Sequence, residues 1–166
     1  MGENPNTNTL GLDMYLSKKT YVQNWDHNED KHNVIVQFNG KERKDIDKKR
    51  VTYIVEEVGY WRKANHIHKW FVDNVQDGVD ECQEAYVSID KLKELLETCK
   101  KVKNDPKLAP ELLPSQRGFF FGGTDYDEYY MNAIDNTIKI IEEILREEPL
   151  WEQYRYSPSF YYQSSW

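Results

Sequence analysis

The stretch YWRKANHIHKWF, residues 60–71, places two Trp, two His, an Arg, two Lys and an Asn within twelve positions. These residue types do acid–base chemistry, anion binding and stacking, so their spacing decides what they can do together. On a helix, Arg62 and His66 lie about 40° apart around the axis and one turn apart along it, close enough to address one anionic group. Trp70 lies about 40° beyond His66 and can stack on a planar ligand. His66 and His68 are separated by about 200°, so they cannot chelate one metal as an i, i+4 pair does. No metal site and no zinc hydrolysis is expected from them. The candidate ligand- or partner-binding set is therefore Arg62, Asn65, His66, His68 and Trp70, with a plain solvated helix face as the alternative. His68 falls inside the apolar arc. It reads as a core histidine with a hydrogen-bond partner, or otherwise as a general base at the helix edge near Trp61 and Asn65.

Other stretches carry less. GFFFGGTDYDE has a strand-like run, two glycines and a helix start, but no Lys follows the glycines as a phosphate loop requires. Its acids suit a capped first helical turn, with Thr124 or Asp125 as the cap, better than an anion site. Asp125 and Asp127 would hold Mg²⁺ only with a further carboxylate. DNVQDGVDECQE lacks the spacing of a calcium loop and reads as a solvated acidic loop. Cys82 and Cys99 have no metal spacing, and Cys99 falls on an apolar helical stripe, as a buried free thiol does. No G-x-S-x-G elbow occurs. No catalytic set is complete, and no cofactor is implied.

The elements that must position these residues follow from periodicity. LGLDMYL alternates, with Leu10, Leu12, Met14 and Leu16 on one side, as a half-buried strand does. NVIVQF (33–38) is a second strand, followed by the turn pair Asn39-Gly40, and VTYIV (51–55) is a third. A helix is predicted from near Gly59 to 75, with Ala64, Ile67, Phe71 and Val75 inward, Trp61, His68 and Val72 on the edge of that face, and Arg62, His66, Lys69 and Asp73 outward. AYVS is a short strand, and Ser88 caps a helix whose stripe is Leu92, Leu95, Leu96, Cys99 and Val102. NDPKLAPELLP is a connector, GFFFGG a short buried strand, and a third helix buries Tyr130, Ile134, Ile138, Ile141 and Leu145. The last sixteen residues hold seven aromatics, so the tail is expected to pack as one or two strands. The whole predicts a single α+β domain over 10–166, with a mixed or antiparallel sheet of five or six strands and three main helices, behind a flexible segment at 1–9.

Composition sets the outer bounds. A net charge of −7 with 31% charged residues disfavours general nucleic-acid binding. KERKDIDKKR (41–50) has six basic and three acidic residues, so it carries +3 while the remainder carries −10. It reads as a solvated hairpin or loop. No apolar run is long enough to cross a membrane and no leader pattern opens the chain, which predicts a cytoplasmic protein with no membrane partner.

Four stretches, GLDMYL, VEEVGYWRKANHIHKWFVDNVQ, GFFFGGTDYDEYY and FYYQSSW, together resemble a family of small uncharacterised proteins encoded by phages, prophages and their bacterial hosts. The likeness runs from Gly11 to Trp166 and leaves out the basic run. It implies a phage or mobile-element setting and assigns no catalytic residue. Two functions are compatible with these readings. One is a non-enzymatic accessory protein that binds a host protein or a small nucleotide-like ligand, in counter-defence or host takeover. The alternative is a small enzyme acting on a nucleotide or nucleic acid with a His general base.

Overall fold

The computed structural model describes residues 11–118 and 121–166. Its elements run β1 (Asp13–Tyr21), β2 (Gln37–Phe38), β3 (Lys41–Glu42), β4 (Tyr53–Arg62), α1 (Asn65–Val75), β5 (Ala85–Val87), α2 (Ile89–Asn104), α3 (Ala109–Leu112), α4 (Glu128–Trp151) and β6 (Ser159–Ser165). The four longer-range strands form one antiparallel sheet in the order β4-β1-β6-β5. The architecture is α+β, as expected. The sheet has four strands rather than five or six, because β2 and β3 pair only with each other as a two-residue hairpin. Among the described residues, α3 adds one helical turn to the three main helices.

One face of the sheet is covered. Leu12, Met14, Leu16, Phe160, Tyr162 and Val87 are buried beneath the helices, which is the alternation read in LGLDMYL and in the aromatic tail. The tail is more than a terminal strand at the margin: β6 lies between β1 and β5 and pairs with both. α2 and α4 pack on each other, with Leu92, Leu95, Leu96, Cys99 and Val102 buried as the stripe predicts. Ser88 caps α2 by accepting from the Lys91 amide. Burial pushes the Cys99 thiol up to about 12.

Several expectations are corrected. The helix does not begin near Gly59: β4 continues through Trp61 and Arg62, paired with Met14 and Asp13, and α1 starts at Asn65. Lys63, with φ of 55°, makes the break between them, its amide donating to Leu12 O at 2.7 Å. Gly59 is needed where it stands. A Cβ there would meet Ile140 Cγ2 at 2.9 Å and Leu16 Cβ at 3.2 Å, so the missing side chain lets α4 approach the sheet. The cap of α4 is Asp127, accepting from the Tyr130 amide, rather than Thr124 or Asp125. Its buried stripe runs through Thr137 and Ile144, with Ile138 and Leu145 only half-buried. Thr137 fits because its hydroxyl accepts from Trp61 Nε1 at 2.8 Å and donates to Ala133 O at 2.7 Å. Only Gln37 and Phe38 of NVIVQF enter a ladder. The expected strand GFFFGG falls partly on residues 119–120, outside the described residues, as do Leu10 and the segment 1–9.

Candidate functional site

The turn from β4 into α1 faces the start of α4 across a cavity of about 530 Å³. Arg62, Lys63, Asn65 and His66 line it on one side, with Gly122 and Gly123 beside them; Asp125, Asp127, Tyr129 and Asn132 line the other. Gly122 has φ of 86°, and a Cβ there would crowd Lys63 Cβ at 3.0 Å, so the loop closes on the turn only because it is glycine. Asn65 ties the two sides together. Its amide donates to Phe121 O at 3.0 Å and Gly123 O at 2.8 Å, while its carbonyl accepts from the Gln116 amide at 2.8 Å. Asn65 is thus the clamp of the cavity wall, with its hydrogen bonds already committed.

His66 is the unusual member. Expected on the outer face of the helix, it is only 4% exposed, because α4 covers that face and stacks Tyr130 on the imidazole at 3.9 Å and 23°. Desolvation lowers its pKa to about 4, against a smaller opposing effect from a hydrogen bond with the Tyr130 backbone. The ring is therefore neutral near pH 7. Its Nε2 is buried with no hydrogen-bond partner among the described residues. Native structures rarely leave a buried polar atom in that condition.

Arg62 stands on β4 and reaches the same cavity, with Nη1 donating to Asp13 Oδ1 at 2.9 Å. The Tyr60 hydroxyl donates to the same oxygen, and the two partners together raise the Arg62 pKa, holding its charge. Asn136 donates to Tyr60 O at 3.0 Å, joining α4 to β4 beside the cavity.

His68 belongs to a different place. Fully buried, it faces β6, where Nδ1 meets the Tyr162 hydroxyl at 2.6 Å and Nε2 meets Asp80 Oδ2 at 2.9 Å. A carboxylate accepts only, so Nε2 carries a proton, and in the neutral ring the Tyr162 hydroxyl donates to Nδ1. Trp166 Nε1 donates to the other Asp80 oxygen at 3.0 Å. Burial and the nearby Asp80 push the Tyr162 pKa well up, so the phenol stays protonated. Phe71 stacks flat on Tyr162 at 3.9 Å, and Phe121 meets His68 edge-on. This is the core histidine read from the apolar arc, with its partners supplied from distant segments. Asp80, read as part of a solvated acidic loop, is one of those partners.

Trp70 is the second correction to the helix face. At 8% exposed it packs edge-on against Phe71 within the core, away from the cavity. Of the five candidate residues, the fold brings Arg62, Asn65 and His66 to one cavity, and places His68 and Trp70 elsewhere. Among the described residues three aromatics line the cavity, Trp61, Tyr130 and Tyr129, and of these Tyr129 is the open one, 83% exposed on the first turn of α4. Tyr129 lies about 100° off the buried stripe through Tyr130, which is the sequence signal for its exposure. No cluster of three or more metal-ligating side chains occurs among the described residues, and none of their helices is long and apolar enough to cross a membrane. No family model, curated protein or solved structure matches the chain.

Proposed function

We propose that the chain is a non-enzymatic binding protein of phage or mobile-element type, acting in the host cytoplasm, that takes a small nucleotide-like ligand in the cavity between β4, α1 and α4. The observation that carries this reading is His66: a neutral, buried imidazole on the cavity wall with one nitrogen unpartnered. Nε2 itself is shut off from the cavity, so a ligand edge completes its hydrogen bond, worth about 1–3 kcal/mol, only by displacing the wall beside the ring. Tyr129 offers a ring for a base to stack on, and Arg62 with Lys63 offers positive charge for an anionic group. Asp125 and Asp127 balance those two cations, so the lining carries no net charge. That balance favours a monophosphate or a cyclic nucleotide over a polyphosphate.

The enzymatic alternative has weaker support. Both nitrogens of His68 are occupied, and a pKa near 4 makes His66 a poor proton acceptor at neutral pH. Titration calorimetry with nucleoside monophosphates and cyclic nucleotides tests the binding reading. One-to-one binding is expected, weakened about tenfold in Tyr129→Ala and in Arg62→Ala, each change worth about 1.4 kcal/mol. Binding that is unaffected by both changes, or no binding by any member of the panel, refutes it.

A further inference from the structure

From Gln23 to Glu57 the chain contains no buried residue. This stretch includes the β2–β3 hairpin, the basic run and the first half of β4, and it exposes aliphatic side chains that ordinarily seek cover. Ile35 is 52% exposed, Phe38 67%, Ile54 40% and Val55 58%. Two features of the backbone stand out. Residues 33–36, NVIV, have a strand-forming sequence but enter no ladder. β4 is an outer strand of the sheet, with β1 its one strand partner among the described residues, and its segment TYIVEE carries neither the Lys nor the Pro that usually guards a free edge.

Charge selects between the ways these surfaces can be covered. The run 41–50 is +3, and Lys41, Lys48 and Lys49 form no ion pair among the described residues. The rest of the chain is −10, with Glu56 and Glu57 on the exposed edge of β4. Arm against arm would bring like charges together, whereas arm against β4 brings opposite ones. A two-fold pair of copies satisfies both surfaces at once, since each molecule has one arm to give and one edge to fill.

We propose that two copies of the chain associate by exchanging arms, residues 33–36 of each adding as a strand to the edge of β4 at 53–57 in the other. The backbone groups of NVIV gain a ladder, and Ile35, Val36 and Phe38 cover Ile54 and Val55. The cavity beside His66 lies at the other end of β4 and takes no part.

Sedimentation equilibrium tests the exchange. The wild type should run as a dimer, at twice 19.9 kDa. An arm variant, Ile35→Asp with Val36→Asp, and an edge variant, Ile54→Lys with Val55→Lys, change only exposed positions, and circular dichroism checks that both stay folded. Each alone should be monomeric, with affinity reduced by about tenfold or more. Mixed in equal amounts they should recover a dimer, because one sound arm and one sound edge remain. A monomeric wild type overturns the proposal. So does an edge variant that dimerises alone, which would mean that arms meet arms, or a mixture that stays monomeric while the wild type dimerises.

Discussion

His66 and His68 stand two residues apart on α1, and both rings are almost wholly shielded from solvent. Their surroundings differ in kind. His68 turns toward the sheet, where Tyr162 and Asp80 occupy both nitrogens and Phe71 and Phe121 close the space. His66 turns toward α4, where Tyr130 covers its face and Nε2 is left without a partner beside a cavity. A satisfied buried polar group fixes a core, whereas an unsatisfied one leaves a hydrogen-bonding capacity unused. The contrast separates the half of α1 that fixes the core from the half that lines the cavity, and each of the following experiments strains one half without the other.

The largest effect should come from removing residues 160–166. The deletion takes away β6, which bridges β1 and β5, together with Tyr162 and Trp166 from the His68 cluster. The truncated chain should show no cooperative thermal transition by circular dichroism. Phe71→Ala should follow, costing about 3–5 kcal/mol in urea unfolding by loss of a buried ring stacked on Tyr162. Trp70→Ala belongs to the same class, because its ring is in the core.

Acid should act on the other half. In the folded chain the His66 pKa is lowered to about 4 from an ordinary value of 6.5. The unfolded chain therefore binds the extra proton first, and stability contributed by neutral His66 is full above pH 6.5 and lost as pH falls toward 4. The shift corresponds to roughly 3 kcal/mol. Urea unfolding of wild type and His66→Leu across that window should show the wild type losing stability relative to the variant as pH drops. Parallel curves would show that the ring is not held neutral by burial.

The direct comparison is the sharpest of the substitutions. His68→Leu leaves the Tyr162 hydroxyl buried without its acceptor and should cost about 1–3 kcal/mol at pH 7. His66→Leu removes the partnerless Nε2 together with the bond to the Tyr130 backbone, and should cost less than His68→Leu. Equal losses would erase the distinction drawn between the two sides of the helix.

Much of the sheet-facing half is legible in the sequence, since periodicity reports which side of an element is apolar. Leu12, Met14 and Leu16 alternate, and Ile67 with Phe71 marks the inner face of α1. What periodicity cannot report is a second covered face. His66 and Trp70 look solvent-facing on a wheel that starts at Gly59, yet tertiary packing buries both. The helix starts later than that wheel implies because pairing with β1 holds Trp61 and Arg62 in a strand, and the left-handed Lys63 that ends it has no glycine to announce it. Arg62 and His66 do line one cavity, but through a strand, a turn and a helix rather than one helical turn. The partners of His68 come from Asp80 and Tyr162, 12 and 94 residues away, a convergence no local pattern encodes.

The imidazole nitrogens themselves give the most direct test of the central claim. Long-range ¹⁵N–¹H spectra of the two buried histidines would be recorded at pH 7 while a binding mononucleotide is added. The account predicts that the His66 Nε2 resonance moves in a saturable way as it gains a hydrogen bond, while both His68 nitrogens, already partnered, stay where they are. A ligand that binds with His66 unmoved, or that shifts His68 instead, would contradict it.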